Sequence, residues 1–464
     1  MRKTKALFEL SLVLAWAVAF LVAGCNGQKT SEREQGETES GSDTTNEYVN
    51  YSDEELMDLV QKETFDYFWE GAEPTSGMAR ERIHMDNVYP NSDREVVTTG
   101  GTGFGLMAIL VGIERGFVSR EDALSRYEKV VDYLGRADRF HGAWPHWLYG
   151  PSGKTKAFSA KDDGGDLVET AFLIQGLLTV KEYFKEGNAR EKQLGKNIQT
   201  LYEQVEWNWY TQGENGLYWH WSPNFGWDMD FLVQGYNETL IMYILAASSP
   251  TYPISKEVYD EGWARNGAIS EGVTYYDLDT VLDYYPGSSS PIGPLFWAHY
   301  SYLGLNPKDL KDAYGDFWKL NTHQAQIHHR HCVENPHGYQ GYSTKCWGLT
   351  SSYSMKGYAG HRPDKDLGVI SPTAALASMP YTPKESMAFL RFMYTEQDSL
   401  VGKYGPYDAF SLEHDWYVPR YLAIDQGPIP VMIENYRTGL LWKWFMKNED
   451  VQKGLANLGF SSGQ

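Results

Sequence analysis

Cysteine is scarce in this chain, three in 464 residues, which leaves no material for a disulfide-stapled scaffold or a multi-cysteine metal module. One of the three, Cys25, lies in an N-terminal leader; the separation of Cys332 and Cys346 does not look like a zinc site, and the two could form one disulfide or stay buried as thiols. Positive charge is also short. Lysine and arginine total 41 against 61 aspartates and glutamates, a net charge of −20, which argues against nucleic acid or an anionic membrane surface as partner and disfavours a polyanionic substrate. Strand signals are few, and no strict period of about 34 residues recurs, which argues against a tetratricopeptide solenoid. Aromatics, by contrast, are plentiful at 15%, with 16 Trp and 33 Tyr, more than a helical core alone requires. Flat rings with polar edges suit the apolar faces of sugars.

The first 25 residues read as an export leader: basic Arg2, Lys3 and Lys5, an apolar run from Leu10 to Val22, then small Ala23 and Gly24 before Cys25. Val22, Ala23, Gly24 and Cys25 resemble the lipobox of bacterial lipoproteins, which implies lipidation of Cys25, a mature chain starting there, and a periplasmic or outer-membrane location held by the lipid alone. The alternative is an ordinary signal peptide with an incidental cysteine. Residues 26–50 are rich in Ser, Thr, Glu, Gln and Gly with almost nothing apolar, so they are expected to be a disordered tether. A single catalytic domain is expected over residues 51–464.

From Ser52 on, helical periodicity dominates. Leu56, Leu59, Val60, Phe65 and Phe68 form a stripe with Ser52 and Glu55 as a capping box, and Ser119 with Asp122 caps another helix. Further helices are expected at Phe104 to Glu114, Asp166 to Phe184, Arg190 to Tyr210, Tyr236 to Ala247 and Leu310 to Val333, with close to a dozen in all. Long segments rich in Gly and aromatics separate them, at 141–153, 214–230, 337–360 and 403–421. Loops this long in a compact domain are usually functional. Helical hairpins whose long loops open on one side make an all-α (α/α)6 toroid; an irregular α-solenoid is the alternative.

The segment KDDGGDLVETAF places Asp162, Asp166 and Glu169 at i, i+4 and i+7, one face if it is helical. The bland alternative is an acidic first turn favoured by the helix dipole. Glu238 stands between Tyr236 and an apolar helix, where burial would raise its pKa into the range a general acid needs; otherwise it is an N-terminal Glu beneath an Asn237 cap. Asp425, flanked by apolar residues, and Glu434 add acidic positions, unless either simply binds an arginine such as Arg437. Glycoside hydrolysis needs two carboxyl groups, one protonated and one ionised. The 162–169 cluster is therefore expected to face a partner from another loop, Glu238 or Asp425. Trp147, Trp221, Trp227, Tyr236, Trp347, Tyr358 and Arg80 are the candidate sugar contacts. His328, His329 and His331 lack an acid nearby in sequence and split across helix faces, so no metal is expected. TTGGTGFG at 98–105 lacks the strand and lysine of a phosphate loop, so its glycines are expected to serve close packing or substrate approach.

YFWEGAEPTSGMARER (67–82), TTGGTGFGLMAILVGIERG (98–116), DDGGDLVETAFLIQGLL (162–178), GYNETL (235–240) and WGLTSS (347–352) resemble the glycoamylase-like domain of bacterial lipoproteins, and more narrowly glycoside hydrolase family one hundred and forty-four. The resemblance covers about Asp53 to the C-terminus. It implies an (α/α)6 barrel, no cofactor or metal, and inverting hydrolysis of a neutral substrate, β-1,2-glucan or its oligosaccharides, with exo release of sophorose from the non-reducing end preferred over endo cleavage. It carries the essential acids onto Asp162, Asp166, Glu169 and Glu238, and onto Asp425 by context. A monomer is expected. A non-catalytic glycan-binding lipoprotein and a polysaccharide lyase are the competing readings; the first has little need of acids at helix starts, and the second lacks the cationic loop that would neutralise a uronate.

Overall fold

The computed structural model describes residues 46–270, 272–280, 282 and 292–462. Its helices alternate between an outer and an inner ring in chain order: α1 (Asp53–Trp69) outer, α2 (Thr99–Glu114) inner, α3 (Arg120–Leu134) outer, α4 (Leu167–Phe184) inner, α5 (Ala189–Glu203) outer, α6 (Leu240–Ser248) inner. A π-helical turn at Val258–Trp263 is the next outer element, and the 3-10 turns Leu295–Ala298 and Tyr300–Tyr302 the next inner one. α7 (Phe317–Glu334), α8 (Pro372–Leu376), α9 (Pro383–Glu396), α10 (Ala423–Gln426) and α11 (Pro428–Arg437) continue the alternation, with α10 and α11 sharing the last inner position. α12 (Leu440–Phe445) and α13 (Glu449–Leu458) close the chain against α4 and α6. This is the (α/α)6 toroid.

Composition sorts the rings. Outer helices α1 and α3 are amphipathic and capped by side chains: Ser52 and Glu55 form the capping box of α1, and Ser119 accepts the Asp122 N–H at the start of α3. Inner helices are apolar on every side, as in α2, buried from Thr99 to Gly112, and α4, buried from Leu167 to Val180. α2 and α4 pack closely because glycines face each other: a Cβ on Gly103 would stand 2.2 Å from the Phe172 carbonyl oxygen, and one on Gly176 2.2 Å from that of Gly103. The TTGGTGFG glycines thus serve helix packing.

Several expectations need correcting. Strand signals are few in the sequence, yet the long loops pair into small antiparallel ribbons of two or three strands, among them Val96–Thr98 with Trp147–Tyr149 and Gly165–Asp166 with His220–Trp221. The helix expected from Leu310 starts at Phe317, because Lys311 bridges to Ser461 instead. The one expected from Tyr236 starts at Leu240. Part of the stretch assigned above to the tether, Glu47–Asn50, forms a 3-10 turn capped by Asn46: Tyr48 packs edge-on against Tyr394, and Asn46 Nδ2 donates to the Tyr394 carbonyl at 2.8 Å. Cys332 and Cys346 are buried free thiols. Cys25, the leader and the tether up to residue 45 lie outside the described residues.

Candidate active site

The inner helices open with their N-termini on one face, and acids gather there. Asp166 is the N-cap of α4, accepting the Glu169 N–H on Oδ1 at 2.9 Å. Its other oxygen accepts from His146 Nδ1 at 2.9 Å and from Trp219 Nε1 at 3.0 Å. Asp162 lies before the helix in a turn, 4.0 Å from His146 Nδ1 and 3.1 Å from His220 Nε2. His146 Nε2 is 3.9 Å from Glu169 Oε1, so one imidazole faces three carboxylates. The three acids do converge, but not on a helical face. The ribbon pairing Asp166 with His220 folds Asp162 back beside the cap.

A second acidic group lies on the far side of α2. Asp425 sits on α10, and Ala423, in the same short helix, is held against Gly101, where an added Cβ would come within 2.8 Å of the Ala423 Cβ. Beside Asp425 is Asp408, whose Oδ2 accepts the Tyr353 N–H at 2.8 Å. Glu81 binds Arg82, which reaches Asp93 at 3.4 Å and Tyr353 Oη at 3.1 Å. Tyr300 feels both groups electrostatically: burial foremost, then Asp425, Tyr358, Glu238 and Glu169, raise its pKa well above the usual phenol value.

Burial raises both glutamates of the site to a similar value. Burial pushes Glu238 up to about 7, with Glu169 and Asp166 adding to the rise. Burial also raises Glu169, against the pull of His146. For His146, burial opposes the charged form, but Glu169, the hydrogen bond to Asp166 and Asp162 together outweigh it and carry the pKa up to about 10. A cationic imidazole thus lies among carboxylates, and Glu238, near Glu169 and Asp166, is poised to hold a proton near neutrality.

The structure places the remaining candidates unevenly. Trp147 stands at the cluster, edge-on to His146 and Phe158, with Arg82 over its ring at 5.8 Å. Tyr358 is raised by burial and then by Asp425, Asp408 and Glu81, which puts it at the second group. Trp347 is corrected: it is 0% exposed, its Nε1 donating to the Glu385 carbonyl, and cannot stack on a sugar. Tyr236 is corrected likewise, buried with its hydroxyl on Asn321 Oδ1 at 2.7 Å. Trp221 alternates to the ribbon face opposite His220, where it and Trp227 both pack around Trp209. Arg80 points away, donating to the Arg94 carbonyl, because the chain bends at Glu81 and exchanges Val97 for Leu422 as partner; Arg82 is the arginine at the acids. Glu434 is no part of the site: Arg115 grips it at 2.7 and 3.0 Å near the C-terminal end of α11.

His146, His220, Asp408, Glu81, Arg82 and Tyr300 went unassigned in the sequence. His146 and Asp408 lie in the aromatic loops already marked as functional, yet nothing adjacent in sequence points to their partners. Among the described residues, His146, Asp162 and Asp166 have donor atoms within 4.8 Å of one another, the spacing a cation would need. His146 Nδ1 and Asp166 are already engaged with each other. His331, in the histidine run, meets an acid that is remote in sequence: Nε2 lies 3.0 Å from Asp366 Oδ2, and Nδ1 is hydrogen bonded to Tyr276 Oη.

The Glycoamylase family model matches residues 230–449. An endo-β-1,2-glucanase from Chitinophaga pinensis, solved with sophorotriose and glucose, is similar at 57% identity and a TM-score of 0.87, over 89% of this chain and 99% of that one. An exo β-1,2-glucooligosaccharide sophorohydrolase (non-reducing end) from Parabacteroides distasonis is 46% identical over 88% of this chain, which spans only 58% of that relative's length. A β-1,2-glucanase structure from the same organism matches at 45% identity and a TM-score of 0.82, over 88% of this chain and 60% of that one.

Proposed function

The chain belongs to the glycoamylase-like glycoside hydrolases of family one hundred and forty-four, and from that membership we propose that it hydrolyses β-1,2-glucooligosaccharides with inversion, releasing sophorose from the non-reducing end. The observation that carries the reading is the meeting of Glu238, raised to about 7, with the Asp162, Asp166 and Glu169 wall at the N-termini of neighbouring inner helices. Glu238 gives its proton to the glycosidic oxygen as the bond to the anomeric carbon breaks. Water adds to that carbon from the other side and yields its proton to a carboxylate of the wall. The His146 imidazolium balances the charge of the wall, and Trp147 and Tyr358 offer flat surfaces for the sugar rings.

Endo cleavage is the second reading, favoured by the 57% identity to an endo-β-1,2-glucanase that this chain covers almost completely. Incubation with linear β-1,2-glucan and with short β-1,2-glucooligosaccharides decides between them. Exclusive early disaccharide supports exo action, a spread of lengths supports endo action, and no new reducing ends from either substrate refutes both. The proposal extends to a monomeric lipoprotein anchored through Cys25 in the periplasm or outer membrane. It is supported by the lipobox-like run before that residue, and release of a Cys25→Ala variant from the membrane fraction would test it.

A further inference from the structure

We infer that Asp408 and Asp425 share one proton across a carboxyl–carboxylate hydrogen bond, with Asp425 as the protonated partner and Asp408 as its positioning residue. Asp425 is 2% exposed and neither of its oxygens meets a donor, and the Oδ1 of Asp408, itself 3% exposed, has none either. Two ionised carboxylates could not remain side by side in this state, because each can only accept. One proton on the hydrogen bond between the two side chains pairs one oxygen of each and removes the clash of two charges, leaving the second Asp425 oxygen as an acceptor.

The surroundings decide which residue carries it. Asp408 receives the Tyr353 N–H at 2.8 Å and has the charge of Arg82 nearby, both of which favour its ionised form. Asp425 receives neither. It faces Asp408 and Glu81 and lies near Tyr300 and Tyr358, none of which is a cation. Asp408 itself faces Asp425, Glu81, Arg82 and Tyr353. Backbone pairing makes the arrangement rigid: the Asp408 N–H donates to the Arg420 carbonyl at 3.0 Å, in the strand Arg420–Leu422 that leads directly into α10. Burial, followed by Asp408, raises Asp425 well above the usual carboxylate range, in agreement with this assignment.

The role in turnover rests on the hydrolase reading; the shared proton does not. Difference infrared spectra at pH 7 between the native chain and Asp408→Asn test it without substrate. The expected result is a protonated-carboxyl band, sensitive to heavy water, that is present in the native protein and lost in the variant, whose Asn amide now donates to an ionised Asp425. Persistence of the band would show that burial alone protonates Asp425 and would overturn the inference. If Asp408→Asn fails to fold, carbon-13 NMR of the native aspartates replaces it: the two carboxyls should titrate in linked steps, and independent single-step curves would overturn the proposal. In turnover, one limb of the kcat/KM profile against pH should move by about one unit in Asp408→Asn. Lower activity with both limbs in place would mean a merely structural role.

Discussion

The Gly100 N–H donates to Glu169 Oε2 at 2.8 Å, and a Cβ added to Gly100 would stand 2.6 Å from that same oxygen. The first turns of α2 and α4 are thereby joined through a carboxylate of the candidate site, and only a residue without a side chain lets the backbone donor approach. Gly100→Ala should push Glu169 aside. A displacement of this size at reacting groups can cost on the order of 100-fold in rate. Steady-state kinetics should show the loss in kcat, with far-ultraviolet circular dichroism unchanged.

Glu238→Gln should lower turnover by orders of magnitude while the fold stays intact, because the amide has no proton to give. In the native protein, activity that depends on protonated Glu238 should fall as pH rises through about 7. Near-normal hydrolysis by the variant would remove Glu238 from the role of acid.

His146 gains its proton affinity on folding, from the ordinary value of 6.5 up to about 10. Between those values the folded chain binds more protons than the unfolded one, so stability should fall as pH rises from about 6.5 towards 10. His146→Gln removes this slope and leaves Asp162, Asp166 and Glu169 without their cation, at about 3 kcal/mol or more. Thermal melts across that pH window, native against variant, provide the check. An unchanged slope would show that His146 does not carry the effect.

Trp147 and Trp347 should separate cleanly. Trp347→Ala opens a cavity in the core and should cost about 3 to 5 kcal/mol of stability, leaving KM of the folded protein unchanged. Trp147→Ala should raise KM at little cost in stability, since its ring is only half-buried beside His146. Denaturant melts and saturation curves on both variants test the contrast; a raised KM in Trp347→Ala would contradict the burial argument.

Gly103→Ala tests the inner ring. The added methyl meets the Phe172 carbonyl at 2.2 Å, with a main-chain atom that cannot swing aside. Overpacking of this kind costs about 1 to 3 kcal/mol or more, so the melting temperature should drop. An unchanged melting temperature would show that α2 and α4 have slack between them.

The helical class of the chain and the starts of its capped helices are legible in local sequence alone, although the ring had a solenoid as its rival and two helix starts moved inward in the structure. Ser52 with Glu55 and Ser119 with Asp122 are local capping signals, readable because a cap spans three residues. The same holds for the apolar inner helices and for the acids 162, 166, 169, 238 and 425, each set at or near an inner helix start. What those acids meet is set by packing between elements remote in sequence. His146 reaches Asp166 across twenty residues, and Asp408 reaches Asp425 through a loop that returns along the strand Arg420–Leu422; no periodicity records such pairings. That packing also sorts the aromatics, since a Trp that seals the core and one that lines a cleft have the same composition and differ only in which neighbours enclose them. Local chemistry fixes where a helix begins, whereas the pKa and accessibility of a side chain depend on every element packed around it.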